Sequence, residues 1–344
     1  MGRAHPRTGR SALMTTARTY SKAMGVDEAL DARPVVDAPF GTALIDVQKH
    51  RGDIVGLTAD LGKYTDILPF RDAYPDRFFN VGMAEQNLVA VAAGLARTGT
   101  VPFATTYGVF ATRRAYDFIA IACAHSNVNV KIIAGLPGLT TGYGGTHQAI
   151  EDTALMCMIP NLVVIDPCDA TDISQITHAI ADYDGPVYVR LLRGKVPRVL
   201  DPKTYSFVIG KASVLREGAD VGIISTGLMT EHAIDAANAL NAEDISAGVL
   251  HTPTLKPFDA DSVAEFASKH DAIVTAENHV ITGGLATQVR EALYKAGIAR
   301  PLMPVGIADT FVELGASPTL MVRSGLTSDG IVAQAHAALR LKRS

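Results

Sequence analysis

Tryptophan is absent from this sequence and cysteine nearly so: Cys123, Cys157 and Cys168 are the only three in 344 residues. An odd count with no metal-type spacing supports neither a disulfide framework nor a zinc site, and it points to a reducing compartment. No apolar run is long enough for a membrane span or the core of a signal peptide, so a cytoplasmic protein without a membrane role is expected. Charged residues make up only 19%, and a net charge of −4 provides no basic field to attract nucleic acid. The first 24 residues are basic, and residues 1–30 read as a flexible extension.

Apolar side chains supply 48% of the chain, enough for large cores, and the length favours two domains. The runs "DIVGLTAD", "TVPFAT", "NVKIIAG", "NLVVIDP" and "PVYVRLL" read as buried strands separated by amphipathic helices. That alternation predicts βαβ units and a parallel sheet. A second series, "ADVGIIST", "ISAGVLHT", "DAIVTAEN" and "LMPVGIA", follows the proline-containing, charged stretch "RGKVPRVLDPKTY". The expected organisation is α/β with two domains, over residues 35–195 and 209–344. Each would be a mostly parallel sheet with helices on both faces, and residues 196–208 would link them.

Ligands of open parallel sheets bind beyond the carboxyl ends of the strands, so chemistry is sought in the loops there. In "NVGMAEQNLVAVAAGLA", Leu88, Val89, Ala92 and Ala96 recur at helical spacing, and stepping back from them lands on Glu85. A carboxylate heading a buried stripe is desolvated, which raises its pKa and equips it to donate a proton. Tyr107 and Phe110 share a helix face after a strand and form either the start of a core helix or a flat wall for a ring. The glycines from Gly135 to Gly145 allow close approach of a ligand but carry no phosphate fingerprint. His147 beyond them is either structural or a proton shuttle. Glu151 and Asp152 read as first-turn acids favoured by the helix dipole. Arg190 and Arg193 end a strand, where a guanidinium suits a carboxylate or phosphate. For Arg190 a domain-closing salt bridge is an equal alternative.

Taken in order, "GMAEQN", "TYGVFATRRAYD", "GYGGTHQAIEDTALMCMIPNLVVIDPCDA" and "VRLLRG" resemble the pyrimidine-binding domain of the transketolase family. "ENHVITGGLATQV" and "FVELGASPTLMVRSGLTSDGI" look like that family's carboxyl-terminal domain. The resemblance implies a thiamine diphosphate enzyme that transfers a two-carbon ketol unit from a ketose to an aldose. It gives Glu85 the contact to N1′ of the aminopyrimidine, which promotes the 4′-imino tautomer, and makes Tyr107 and Phe110 the stacking wall. Asp60 would lie beside the cofactor, and Arg113 would stand where a third wall aromatic usually does. His147 would contact substrate near the reactive carbon, and Arg193 would bind a substrate phosphate. Tyr143 replaces a usual aspartate. The family's other phosphate-contacting residues fall near Asp37 and Tyr64. These departures leave room for an unusual sugar, branched or non-phosphorylated.

Family members hold the diphosphate and its magnesium through a G-D-G element with a downstream asparagine, and this sequence has no G-D-G. No metal ligands are therefore expected on this chain. The resemblance implies a split transketolase whose second polypeptide carries the diphosphate-binding domain and magnesium, in an α2β2 assembly acting on sugars or sugar phosphates. The alternatives are a β subunit of a 2-oxo acid dehydrogenase, half of a 1-deoxyxylulose-5-phosphate synthase-like enzyme, or a non-catalytic partner subunit.

Overall fold

The computed structural model describes residues 33–343, so the extension expected over residues 1–30 lies outside the described residues. The chain runs β1 (Val35–Asp37), α1 (Pro39–Arg51), β2 (Ile54–Thr58), α2 (Leu68–Ala73), β3 (Phe78–Asn80), α3 (Glu85–Ala96), β4 (Val101–Tyr107), α4 (Gly108–Phe118), β5 (Lys131–Gly135), α5 (Asp152–Cys157), β6 (Val163–Ile165), α6 (Ala170–Asp182), β7 (Val187–Leu191) and β8 (Lys195–Pro197). It continues through β9 (Ser213–Arg216), β10 (Val221–Ser225), α7 (Met229–Asn241), β11 (Ala247–His251), β12 (Thr254–Lys256), α8 (Ala260–Ser268), β13 (Ala272–Val280), α9 (Leu285–Lys295), β14 (Leu302–Ile307), α10 (Ser317–Arg323) and α11 (Ser328–Arg343).

Two large sheets result, as the alternation of apolar runs predicts. The first has the order β12-β6-β7-β5-β4-β2-β3 and is parallel except at β12. The second, β14-β13-β10-β11-β9, is parallel except at β9. Side chains alternate between faces as the pleat requires. Along β6, Val163 and Ile165 enter one core with Phe40 and Leu44 of α1 and Ile173 and Ile176 of α6. Val164 enters the other, with Leu88 and Val89 of α3.

That second core crosses between the halves, because it also takes in Val263 and Phe266 of α8 and Leu285 and Val289 of α9. β12 crosses too, adding an antiparallel edge to β6 from the far half of the chain. The stretch that reads as a linker is itself packed. Leu200, Tyr205 and Phe207 are buried against the α1–α6 core, and Thr171 Oγ1 donates to the Leu200 carbonyl at 2.8 Å. No helix among the described residues is long and apolar enough to cross a membrane.

Lys131 is an exception among the apolar residues of β5. Its buried Nζ donates to the carbonyls of Tyr183 and Gly185, both at 2.7 Å, and burial pushes its pKa down from 10.5 to about 7. Between those values the unfolded chain holds the extra proton. The penalty is therefore full below about pH 7 and fades as pH rises toward 10.5. Stability to urea is expected to climb between pH 7 and 9 by on the order of 1 kcal/mol per pH unit. Lys131→Met should remove that slope, and a slope unchanged in the variant would place its origin elsewhere.

Candidate active site

From β2 the chain goes outward to β3 and then back across to β4 on the other side of β2, so the strand order reverses there. A crevice opens beyond the carboxyl ends of strands at such a point. Helix α3 begins beside it with Glu85 as its first residue. The periodicity reading holds for Glu85, Leu88, Val89 and Ala92, which are all buried. Ala93 completes the stripe, whereas Ala96 is half-buried.

Glu85 is 2% exposed but is not a lone acid. Arg114, in the middle of α4, places Nη1 3.0 Å from Oε1 and 3.2 Å from Oε2. Its guanidinium carbon lies 3.8 Å from the centre of the Phe110 ring, so the cation stacks on the aromatic face while bonding the carboxylate. Sequence reasoning missed this residue. Two adjacent arginines point about 100° apart on a helix, and the string alone does not say which one faces Glu85.

Four rings complete the wall. Tyr107 ends β4 and is 5.6 Å from Phe110, centre to centre, and 6.1 Å from Tyr64. Burial pushes its phenol up to about 12, so it stays protonated. The His147 imidazole packs edgewise on Phe110 at 5.4 Å and on Tyr107 at 6.1 Å. Its Nδ1 is 2.8 Å from Thr146 Oγ1. Burial first, and then the positive charge of Arg114, hold the imidazole below its ordinary value, so it is neutral at pH 7. Tyr107 belongs to a small buried cluster with Val109, Leu136 and Ala149, Phe110 packs against it, and His147 meets both rings.

The remaining candidates fall around this centre. Arg193 lies over the Tyr64 ring at 5.5 Å and next to Asp66. Tyr143, 46% exposed, stacks edgewise on His147 at 5.4 Å. Asp60 stands at the end of β2 in a left-handed turn. Asn80 Nδ2 donates to its carboxylate at 3.0 Å, and its own amide donates back to Asn80 Oδ1. Arg113 is turned away from the wall: it bonds Glu151 and donates to the Gly145 carbonyl at 2.6 Å, clipping the glycine loop to α4.

Two expectations need correction, and the alternative left open for Arg190 is decided. The loop glycines make room for the chain itself. A side chain at Gly138 would strike Asn278, and one at Gly142 would strike the Gly315 carbonyl. Asp152 is more than a first-turn acid, because it is fully buried and bonded to Arg190 and to the Tyr188 hydroxyl at 2.7 Å. Arg190 takes the salt-bridge alternative, buried between the halves and away from the crevice. It donates to Asp152 at 2.9 and 2.5 Å, to Asp166 at 3.2 Å, to the Ala149 carbonyl and, across the halves, to the Asn278 carbonyl.

Among the described residues, the one group of three side chains close enough to share a metal ion is Cys168, Asp172 and His251. It does not suit magnesium, which takes oxygen ligands. Its members are also occupied: Asp172 accepts from Tyr205 Oη at 2.8 Å and from the Cys168 amide at 3.0 Å, and it meets His251 Nε2 at 3.0 Å. The Glu85 wall, by contrast, does suit a planar heteroaromatic ring, since a flat cation already lies on Phe110 with its N–H donors on the buried carboxylate.

A doubly wound sheet with an acid and aromatics at its reversal, backed by a second α/β layer, matches one domain class. Residues 35–198 match the family described as transketolase, pyrimidine binding domain, and residues 210–331 match transketolase, C-terminal domain. The chain is 50% identical over 324 residues to a transketolase family protein of Sinorhizobium fredii, covering 93% of this chain and 92% of that one. It is 40% identical over 294 residues to a 6-deoxy-6-sulfo-D-fructose transketolase subunit of Clostridium sp. (strain MSTE9), covering 85% and 91%. A solved split-gene transketolase, described as an inactive beta4 tetramer, superposes with a TM-score of 0.83 at 42% identity, over 90% of this chain and all of that one. The chain belongs to the transketolase family, and over its length it corresponds to the β chain of the split-gene form.

Proposed function

We propose that this chain is one subunit of a thiamine diphosphate-dependent transketolase, moving a two-carbon ketol unit from a ketose to an aldose only when joined to a chain bearing the diphosphate-binding domain. The observation that carries this is the buried Glu85 carboxylate, joined through Arg114 to the face of Phe110 in the Phe110–Tyr107–His147 wall at the strand reversal. When bound, thiamine diphosphate supplies the electron sink that carbon–carbon cleavage beside a carbonyl requires. Glu85 would hold a proton at a pyrimidine ring nitrogen, and Phe110 and Tyr107 would flank the ring. The neutral His147 offers a hydrogen bond to a substrate oxygen, with Tyr143 at the same edge. Arg193 takes the substrate's anionic end; its planar fork fits phosphate, and equally the sulfonate in the name of the Clostridium relative. Asp60 braces the loop into the crevice. Magnesium and its ligands belong to the partner chain, one chain of each kind builds each site, and the assembly proposed is α2β2. The inactive state named for the solved relative supports that dependence.

The test is co-expression with a chain carrying the G-D-G domain, followed by a ketose and aldose screen with thiamine diphosphate and magnesium. Ketol transfer is expected from the mixture and from neither chain alone. Turnover by this chain alone, or 2-oxo acid decarboxylation without ketol transfer, would overturn the reading. Within the active mixture, Arg193→Gln should raise KM for anionic sugars far more than for neutral ones.

A further inference from the structure

Arg114 occupies the features that a pyrimidine ring would use. Its guanidinium is planar, like the ring, and lies on Phe110 at 3.8 Å from the ring centre, which is stacking contact. One of its nitrogens engages both oxygens of Glu85. A heteroaromatic ring on that face, bonded to that carboxylate, cannot share the space. Arg114 also has somewhere to go, since its side chain is 49% exposed while that of Glu85 is 3% exposed. The residue after it, Ala115, breaks helical geometry inside α4 (φ −112°, ψ 15°), and a π-helical turn over Ile119–His125 follows. Such departures mark places where a helix re-aims side chains.

We infer that Arg114 is a resident stand-in for the pyrimidine, holding its seat closed in the empty chain and leaving when the cofactor enters. This inference rests on the proposed cofactor reading. The stand-in solves a problem the fold creates: without it, the empty subunit would bury the Glu85 carboxylate with no partner. The same exchange couples to His147, whose imidazole loses a neighbouring positive charge when Arg114 leaves. Cofactor entry therefore replaces one planar partner of Glu85 by another.

The test is titration calorimetry of thiamine diphosphate, at saturating magnesium, into the complex of this chain with its partner. Arg114→Ala is compared with wild type, and Arg114→Gln serves as a second variant in case the first folds poorly. With no guanidinium to displace, both variants should bind thiamine diphosphate roughly threefold to tenfold tighter, the range expected for a half-exposed ion pair plus a stacked cation. The cofactor-free chain carrying Arg114→Ala should melt at a lower temperature than wild type, and the two saturated complexes should melt together. Weaker or unchanged cofactor binding in the variants would overturn the inference, since Arg114 would then either contact the bound cofactor or stand aside from it. A wild-type complex that binds no thiamine diphosphate would overturn the functional reading itself, and the stand-in with it.

Discussion

Glu85→Gln should leave the chain folded and able to join its partner, yet lower kcat for ketol transfer by on the order of 10²- to 10⁴-fold, the range lost with a positioned proton-transfer group. Glutamine keeps the shape of the side chain at the head of α3, so the stripe formed by Leu88, Val89 and Ala92 packs as before. The Arg114 ion pair is half-exposed on the arginine side, so its loss should cost about 1 kcal/mol or less. What the amide cannot do is exchange a proton with a ring nitrogen. Stability and activity therefore part company in this variant, and the measurement is kcat at saturating cofactor beside a melting curve. A kcat within a few-fold of wild type would remove Glu85 from the chemistry. A large fall in melting temperature would make its role structural.

Glu85 was legible because helical periodicity is local. Three apolar residues at the right spacing locate the buried face, and the glutamate lies on it. The same holds for the strands of both sheet interiors, such as Val163–Ile165 and Val221–Ser225, where burial on both faces favours a run with little charge. What escaped the sequence depends on distant partners. β12 is three residues long and becomes an edge strand only because β6 lies beside it. Gly138 and Gly142 read as ligand-facing because nothing nearby reveals that Asn278 and Gly315 will press against them. Arg113 attracted attention through family position, while the geometry of α4 gave Arg114 to Glu85 and turned Arg113 onto Glu151 and Gly145.

Arg190→Met is the second substitution with a large expected effect, here on stability. The guanidinium is fully buried and spends its donors on two carboxylates and two backbone carbonyls drawn from both halves of the chain. Methionine fills a similar length of space but leaves Asp152 and Asp166 facing each other in an apolar interior. Truncating one partner of such a cluster costs about 3–5 kcal/mol, because the remaining charge stays buried and uncompensated. Acidity should relieve the loss. Burial pushes Asp152 up as well, but in the wild type Arg190 outweighs this and holds its carboxyl below the ordinary range. Burial already lifts Asp166 to about 6. Without the arginine both carboxyls titrate higher in the folded state than in the unfolded chain, so the variant gains protons on folding and its deficit shrinks as pH falls. Urea unfolding at pH 5 and pH 8 should therefore find the gap to wild type smaller at pH 5. An equal gap at both pH values would mean that lost packing, rather than uncompensated charge, accounts for the cost. The same bonds fix the Ala149 carbonyl and, through Asp152, the start of α5. The loop that carries His147 and Tyr143 therefore depends on Arg190 for its position, although Arg190 itself never reaches the crevice.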